Sequence, residues 1–186
     1  MIRLLLRTSN APALLLIAMI GVAIQSSFFS FWILNYFQPD VLLLLVIWFA
    51  LRRPFVEGGV LTLIVAEIAE THTAAPSGLF MICYMATFLS LRGAARLLVI
   101  PDIASLMLLT LFTSVFAKVI DMGVFRLLGG SRAQVQHMIV FIFPTALVNA
   151  MLGKWLYRWL EKLDWATFKN IRAERLLGDD LNLEIG

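Results

Sequence analysis

The feature that most limits what this chain can become is the length of its uncharged runs. Between Arg7 and Asp40 no residue carries a charge, and further apolar runs follow, each closed by a charged pair or a Gly/Pro turn. Roughly 20 apolar residues cross a bilayer as a helix, and apart from a closed barrel only a helix satisfies its own backbone N–H and C=O groups in lipid. The 186 residues are 61% hydrophobic and 15% charged, with a mean hydropathy of +0.89, which excludes an ordinary soluble domain. The expected fold is an all-α integral membrane protein: a six-helix transmembrane bundle forming a single domain over residues 1–186. Its helices are expected at about 12–34, 39–53, 57–70, 75–91, 101–128 and 134–158, followed by a short, partly helical polar tail at 164–186.

Orientation follows from where Lys and Arg fall. Arg3 and Arg7 precede the first run, Arg52 and Arg53 close the second, and Arg92 and Arg96 close the fourth. Six more basic residues, from Lys154 to Arg175, lie at and beyond the end of the sixth, whereas the opposite side holds only Arg126 and Arg132. The positive-inside rule then puts both termini in the cytoplasm and makes the number of crossings even. A net charge of +3 and a pI near 9.4 would suit nucleic acid, but the basic residues flank apolar runs instead of forming a solvated stripe. Lipid is the expected partner, and nucleic acid is not.

The first run resembles a secretory signal in outline, with Arg3 and Arg7 ahead of it and a small-x-small step at Gly21-Val22-Ala23. It continues through Phe28, Phe29, Phe31 and Trp32, too long for a signal core and with the aromatic edge of a true span, so a retained first helix is expected. The second helix opens at Pro39-Asp40, where a carboxylate suits the positive end of the helix dipole. From there to Arg53 it reaches only about 22 Å, so its arginines snorkel or the helix sits among longer neighbours. The second and third helices are both short enough to form a hairpin that does not fully cross. Cys83, the one cysteine, lies in the fourth run with no partner for a disulfide, and reads as a small packed residue.

Three polar faces stand out. Gly58, Thr62, Ala66 and Glu70 recur every fourth residue, a small-residue stripe that lets another helix approach closely. They are the candidate partner-binding face. Glu67 and His72 lie beside Glu70; two carboxylates and an imidazole can suggest a metal or acid–base site, but a polar cap at the periplasmic membrane edge explains the same residues, and in a transporter subunit they would line a pocket with more distant groups. Ser114, Lys118 and Asp121 share a face of the fifth helix; intramembrane ions are functional candidates, although a mutual Lys118–Asp121 pair near the interface explains them equally. Thr145, Asn149 and Gly153 form a third face beside Pro144, expected to point inward. Glu67, His72, Lys118, Asp121 and Asn149 are therefore the candidate polar pocket. The chain has no phosphate-cradling glycine loop, no Gly-x-Ser-x-Gly elbow and no His-Glu-x-x-His, and His72 and His137 are not at ligand spacing. No catalytic role, metal or cofactor is expected.

The run Gln38-Pro39-Asp40-Val-Leu-Leu-Leu-Leu-Val-Ile-Trp-Phe-Ala-Leu-Arg-Arg-Pro, then Gly58-Gly59, an acidic end to the third helix and Ser77-Gly78-Leu79, resembles the rod-shape-determining MreD family. The small size, the even topology and Gln25-Ser26-Ser27-Phe28-Phe29 agree with it. The chain departs from the family where Val65-Ala66-Glu67-Ile68-Ala69-Glu70 replaces Gly-Leu-Leu-x-Asp, so that either Glu67 or Glu70 stands at the family's Asp. The resemblance implies a non-enzymatic component of the cell-elongation complex in the bacterial inner membrane. Such a component binds the single-span scaffold MreC and, through it, the lateral-wall peptidoglycan synthases and MreB. It also implies a fold like that of the substrate-binding subunits of energy-coupling-factor transporters. The alternative is a small-molecule-binding subunit of a transporter, against which Ala18 is followed four residues later by Val22, where such subunits carry Ala-x-x-x-Ala.

Overall fold

A computed structural model describes residues 9–28, 38–73, 75–95 and 103–167. Six helices make up the fold: α1 (Asn10–Phe28), α2 (Val41–Arg52), α3 (Phe55–Thr71), α4 (Leu79–Ala95), α5 (Ile103–Leu127) and α6 (Arg132–Ala166). No strand occurs among the described residues. Helices α1, α5 and α6 are long and apolar enough to cross a membrane. The others are shorter; the 12 residues of α2 extend only about 18 Å, well under the roughly 30 Å of a hydrocarbon core.

The short helix is the centre of the bundle. Every residue from Leu42 to Ala50 is buried, and α2 packs against all five other helices. A helix apolar on every side needs neighbours on every side. Small residues let them come close. A Cβ at Gly21 of α1 would stand 2.6 Å from Val41 Cγ1, and one at Gly58 of α3 would stand 2.9 Å from Phe88 Cε2 and 3.1 Å from the Phe49 carbonyl. On the flank, Trp48 stacks on Tyr157 with ring centroids 5.7 Å apart.

Several boundaries differ from those expected. Helix α1 is described only to Phe28; the expected continuation to 34, with Phe29, Phe31 and Trp32, lies outside the described residues. Helix α4 begins after the Pro76-Ser77-Gly78 turn, where Gly78 has φ +87°, and it continues past Arg92-Gly93 to Ala95. Helix α5 ends as expected at Gly129-Gly130: Gly129 takes φ +90° and the Gly130 amide donates to the Phe125 carbonyl, a Schellman closure of the last turn. The main correction is at the end of α6, which contains Pro144 as expected but continues past 158 to Ala166. Residues 164–166, expected to begin a partly helical polar tail, continue α6 itself, and Asp164 is buried instead of lying in a polar tail. Residues 168–186 lie outside the described part.

The 35 residues of α6 extend about 52 Å, much longer than a hydrocarbon core. Its last turns expose Trp155, Trp159 and Trp165 beside Arg158 and Lys162, the aromatic and basic mixture that suits a membrane interface. The start of α1 and the end of α6 meet, because Asn10 Nδ2 donates to Asp164 Oδ1 at 3.0 Å and to Thr167 Oγ1 at 2.7 Å. The first and last described helices therefore share one end of the bundle.

Candidate functional site

Because α2 is short and wholly enclosed, both its ends fall inside the protein, and each gathers polar side chains. A helix end exposes unsatisfied backbone N–H or C=O groups that buried surroundings must satisfy. At the N-terminal end Asp40 is the cap: its Oδ1 accepts the Leu43 amide at 2.9 Å, and its negative charge complements the dipole. The same oxygen accepts the Tyr84 hydroxyl of α4 at 3.1 Å. Its Oδ2 lies 3.6 Å from Lys118 Nζ of α5, and Lys118 also lies 3.3 Å from Asp121 Oδ2. The Asp40 amide donates to Asn149 Oδ1 of α6 at 2.8 Å, and Asn149 Nδ2 donates to Ser114 Oγ at 3.2 Å. Ser114, Asn149, Tyr84, Asp40 and Asp121 are buried, whereas the Lys118 side chain is 26% exposed and marks the open side. Cys83 is buried and faces Asp121.

At the other end Arg53 is buried with 0% side-chain exposure. Its Nη2 pairs with Asp164 Oδ1 of α6 and donates to Asn10 Oδ1 of α1 at 2.9 Å, and its Nε lies 3.9 Å from Glu57 Oε1. Arg92 of α4 closes the helix from outside: its Nη1 donates to the carbonyls of Ala50 and Arg53, each at 2.8 Å, where cations favour the negative end of the dipole. The neighbouring Arg52 instead lies over the Trp48 ring, 5.4 Å from its centroid.

No family model, no characterised protein and no solved structure matches this chain. Of the five residues expected in a polar pocket, Lys118, Asp121 and Asn149 converge, and Glu67 and His72 do not. Glu67 is exposed on the outer face of α3, and His72 is exposed at its C-terminal end, where Nδ1 sits 2.8 Å from the Ile68 carbonyl. No grouping of His, Cys, Asp and Glu able to hold a metal ion occurs among the described residues.

The small-residue stripe is also placed differently from expectation. Gly58, Thr62 and Ala66 are buried, and the Gly58 position meets Phe88 of α4 and the Phe49 carbonyl of α2. The close approach that the stripe permits is taken by this chain's own helices, so it is not an open face for a partner's helix. Glu70, at its outer end, accepts the Gly78 and Met81 amides at 2.9 and 3.1 Å and so caps the N-terminus of α4 from a neighbouring helix. The face of α3 that is left open is the opposite one, with Val56, Val60, Leu63 and Ile64 exposed.

Sequence reasoning missed Asp40 and Tyr84 as members of the Lys118 cluster, and missed the Arg53–Asp164 cluster altogether. Asp40 carried a signal, because a carboxylate heading an apolar helix must be neutralised wherever its surroundings exclude water. Tyr84 carried one too, since a buried hydroxyl needs a partner.

Proposed function

We propose that this chain is a non-enzymatic assembly component of the bacterial inner membrane, of the MreD type, that docks the transmembrane helix of the MreC scaffold. Through MreC it connects to the lateral-wall peptidoglycan synthases and MreB. One observation carries this reading: the Pro39-Asp40 head of α2, the strongest point of the resemblance, is the cap around which α4, α5 and α6 assemble. Glu70, which fastens α3 to α4, is then the residue standing at the family's acidic position. The remaining crossings are completed by α2, α3 and α4 packed between the three long helices. Both chain ends face the cytoplasm, a topology favoured by the meeting of Asn10 with Asp164 and Thr167.

The docking face in this reading is the outer side of α3, because lipid-facing helix association relies on apolar packing at an accessible surface. A photo-crosslinker placed at Val60 is expected to capture MreC, and one at Phe112 on the exposed side of α5 is not. Absence of capture from Val60 in inserted, folded protein overturns the face. Rod-shaped cells surviving depletion of the chain overturn the function.

A second reading is supported by the convergence of Lys118, Asp121 and Asn149: a membrane subunit binding a small polar molecule. A thermal-shift screen against vitamins distinguishes it, since a bound ligand raises the unfolding temperature with its concentration.

A further inference from the structure

The last turns of α6 carry an open groove of about 450 Å³, lined by Trp155, Arg158, Trp159, Glu161, Lys162 and Trp165. At about 100° per residue, Arg158 and Lys162 fall in the middle of this face, with Trp155 and Trp159 on one side and Trp165, then Glu161, on the other. The opposite face of the same turns is fixed to the bundle: Tyr157 stacks on Trp48, Leu160 is buried, and Asp164 pairs with Arg53. The groove is therefore held facing away from the protein. Its depth follows from the composition of α6. No Asp, Glu, Lys or Arg occurs from Ala133 to Gly153, a stretch that extends about 32 Å and fills a hydrocarbon core of roughly 30 Å. The groove begins where that stretch ends, in the headgroup layer.

We propose that this groove binds a net-anionic phospholipid, with Arg158 and Lys162 donating to the phosphate oxygens and the indoles covering the glycerol and the first acyl methylenes. Arg158 and Lys162 are exposed, and neither makes an ion pair with a described residue. Like charges one turn apart repel each other, and a phosphate held between them replaces that repulsion with charge-assisted hydrogen bonds. A guanidinium forks two phosphate oxygens, and an ammonium adds a point charge. The face keeps a positive excess, because Lys154, Arg158 and Lys162 outweigh the one carboxylate, Glu161. A zwitterionic headgroup leaves that excess uncompensated, whereas an anionic one balances it. Trp155, Trp159 and Trp165 are 71%, 69% and 62% exposed, which favours a lipid over a soluble phosphate. A soluble ion engages the cations and leaves three indoles uncovered; a phosphate attached to acyl chains covers both. The inference depends on the chain lying in a bilayer and not on the docking of MreC.

The test uses the full chain in phosphatidylcholine nanodiscs carrying small amounts of a phospholipid brominated on its acyl chains, which quenches nearby tryptophans. Brominated phosphatidylglycerol is expected to reach half-maximal quenching at a mole fraction about tenfold below that of brominated phosphatidylcholine. Arg158→Gln combined with Lys162→Gln abolishes the difference. Arg52→Gln, which removes an exposed cation at the same end of the bundle, preserves it. Equal quenching by the two lipids, a preference that survives the double variant, or an equal loss in Arg52→Gln overturns the proposal, the last because it marks a general attraction of charge. A preference that inorganic phosphate removes at constant ionic strength marks a site for a free anion and overturns the lipid. Should the double variant not insert, Trp159→Ala decides: it leaves the charge intact, and an unchanged ratio between the two lipids overturns the groove.

Discussion

Among the described residues, α2 terminates at its Arg53 end beside two cations and two carboxylates, and at its Asp40 end beside one cation and two carboxylates. Both clusters do the same structural task, satisfying a helix end that lies inside the protein. Arg92 covers the terminal carbonyls at one end and Asp40 the terminal amides at the other. They differ in what remains. The described groups of the Arg53 cluster sum to neutrality, and although Arg53 Nη1 and Nε make no hydrogen bond with a described residue, Nε lies within ion-pair distance of Glu57. The described groups of the Asp40 cluster carry two carboxylates against one ammonium, and Lys118 leaves one side open. Burial of charge is common to both, so it does not by itself mark function; the two ends differ in sign balance and in the opening beside Lys118.

The comparison is broken most directly at Arg53. Replacing it with Met leaves Asp164 buried with Asn10 and no cation, a loss of about 3–5 kcal/mol in unfolding free energy measured in detergent. Adding Asp164→Asn to that variant removes the stranded charge and is expected to restore most of the loss. A neutral fastening behaves this way; no recovery would mean that Arg53 does something that Asp164 does not share. Asp40→Ala is expected to cost less, about 2–3 kcal/mol, from a lost cap and an unpaired Tyr84 hydroxyl. Lys118 still has Asp121 after that change, so a loss as large as that of Arg53→Met would show the two ends to be equivalent.

Much of this arrangement is legible in the residues, and the illegible part has definite causes. Run length marks the long helices, and Gly129-Gly130 marks the end of α5 because a Schellman turn needs a left-handed residue. Arg52 and Arg53 could not be told apart, since adjacent residues of one type differ only by about 100° around the helix. One turns to Trp48 and the other into the core. Asp164 looked like tail because a polar stretch says nothing about a partner on α2, far away in sequence. The Gly58, Thr62 and Ala66 spacing identified a contact face correctly as geometry, but not its occupant, which is a question of topology. Glu67 fell outside the pocket because one step beyond Ala66 turns it toward the face of Val60 and Leu63.

Two glycines sharpen the contrast at smaller scale, one at each end of α2. Gly58→Ala at the Arg53 end puts a methyl against the Phe49 backbone carbonyl and the ring of buried Phe88, neither of which yields without moving a packed helix. Overpacking of this kind costs about 1–3 kcal/mol, and the roughly 1 kcal/mol gained from Ala over Gly in a helix offsets only part of it. Gly21→Ala at the Asp40 end meets only the side chain of Val41, which is half-buried and belongs to the first turn of α2. There the approach of 2.6 Å to Val41 Cγ1 and 3.2 Å to its Cβ forces a stiff β-branched side chain to shift, so a loss of about 1 kcal/mol remains after the helical gain, smaller than at Gly58 because no backbone atom stands in the way. The ordering is the informative quantity, read as the difference between two unfolding titrations. If Gly21→Ala is the more damaging, α1 is clamped as tightly at the Asp40 end as α3 is at the other, and the open side of that cluster is narrower than Lys118 indicates.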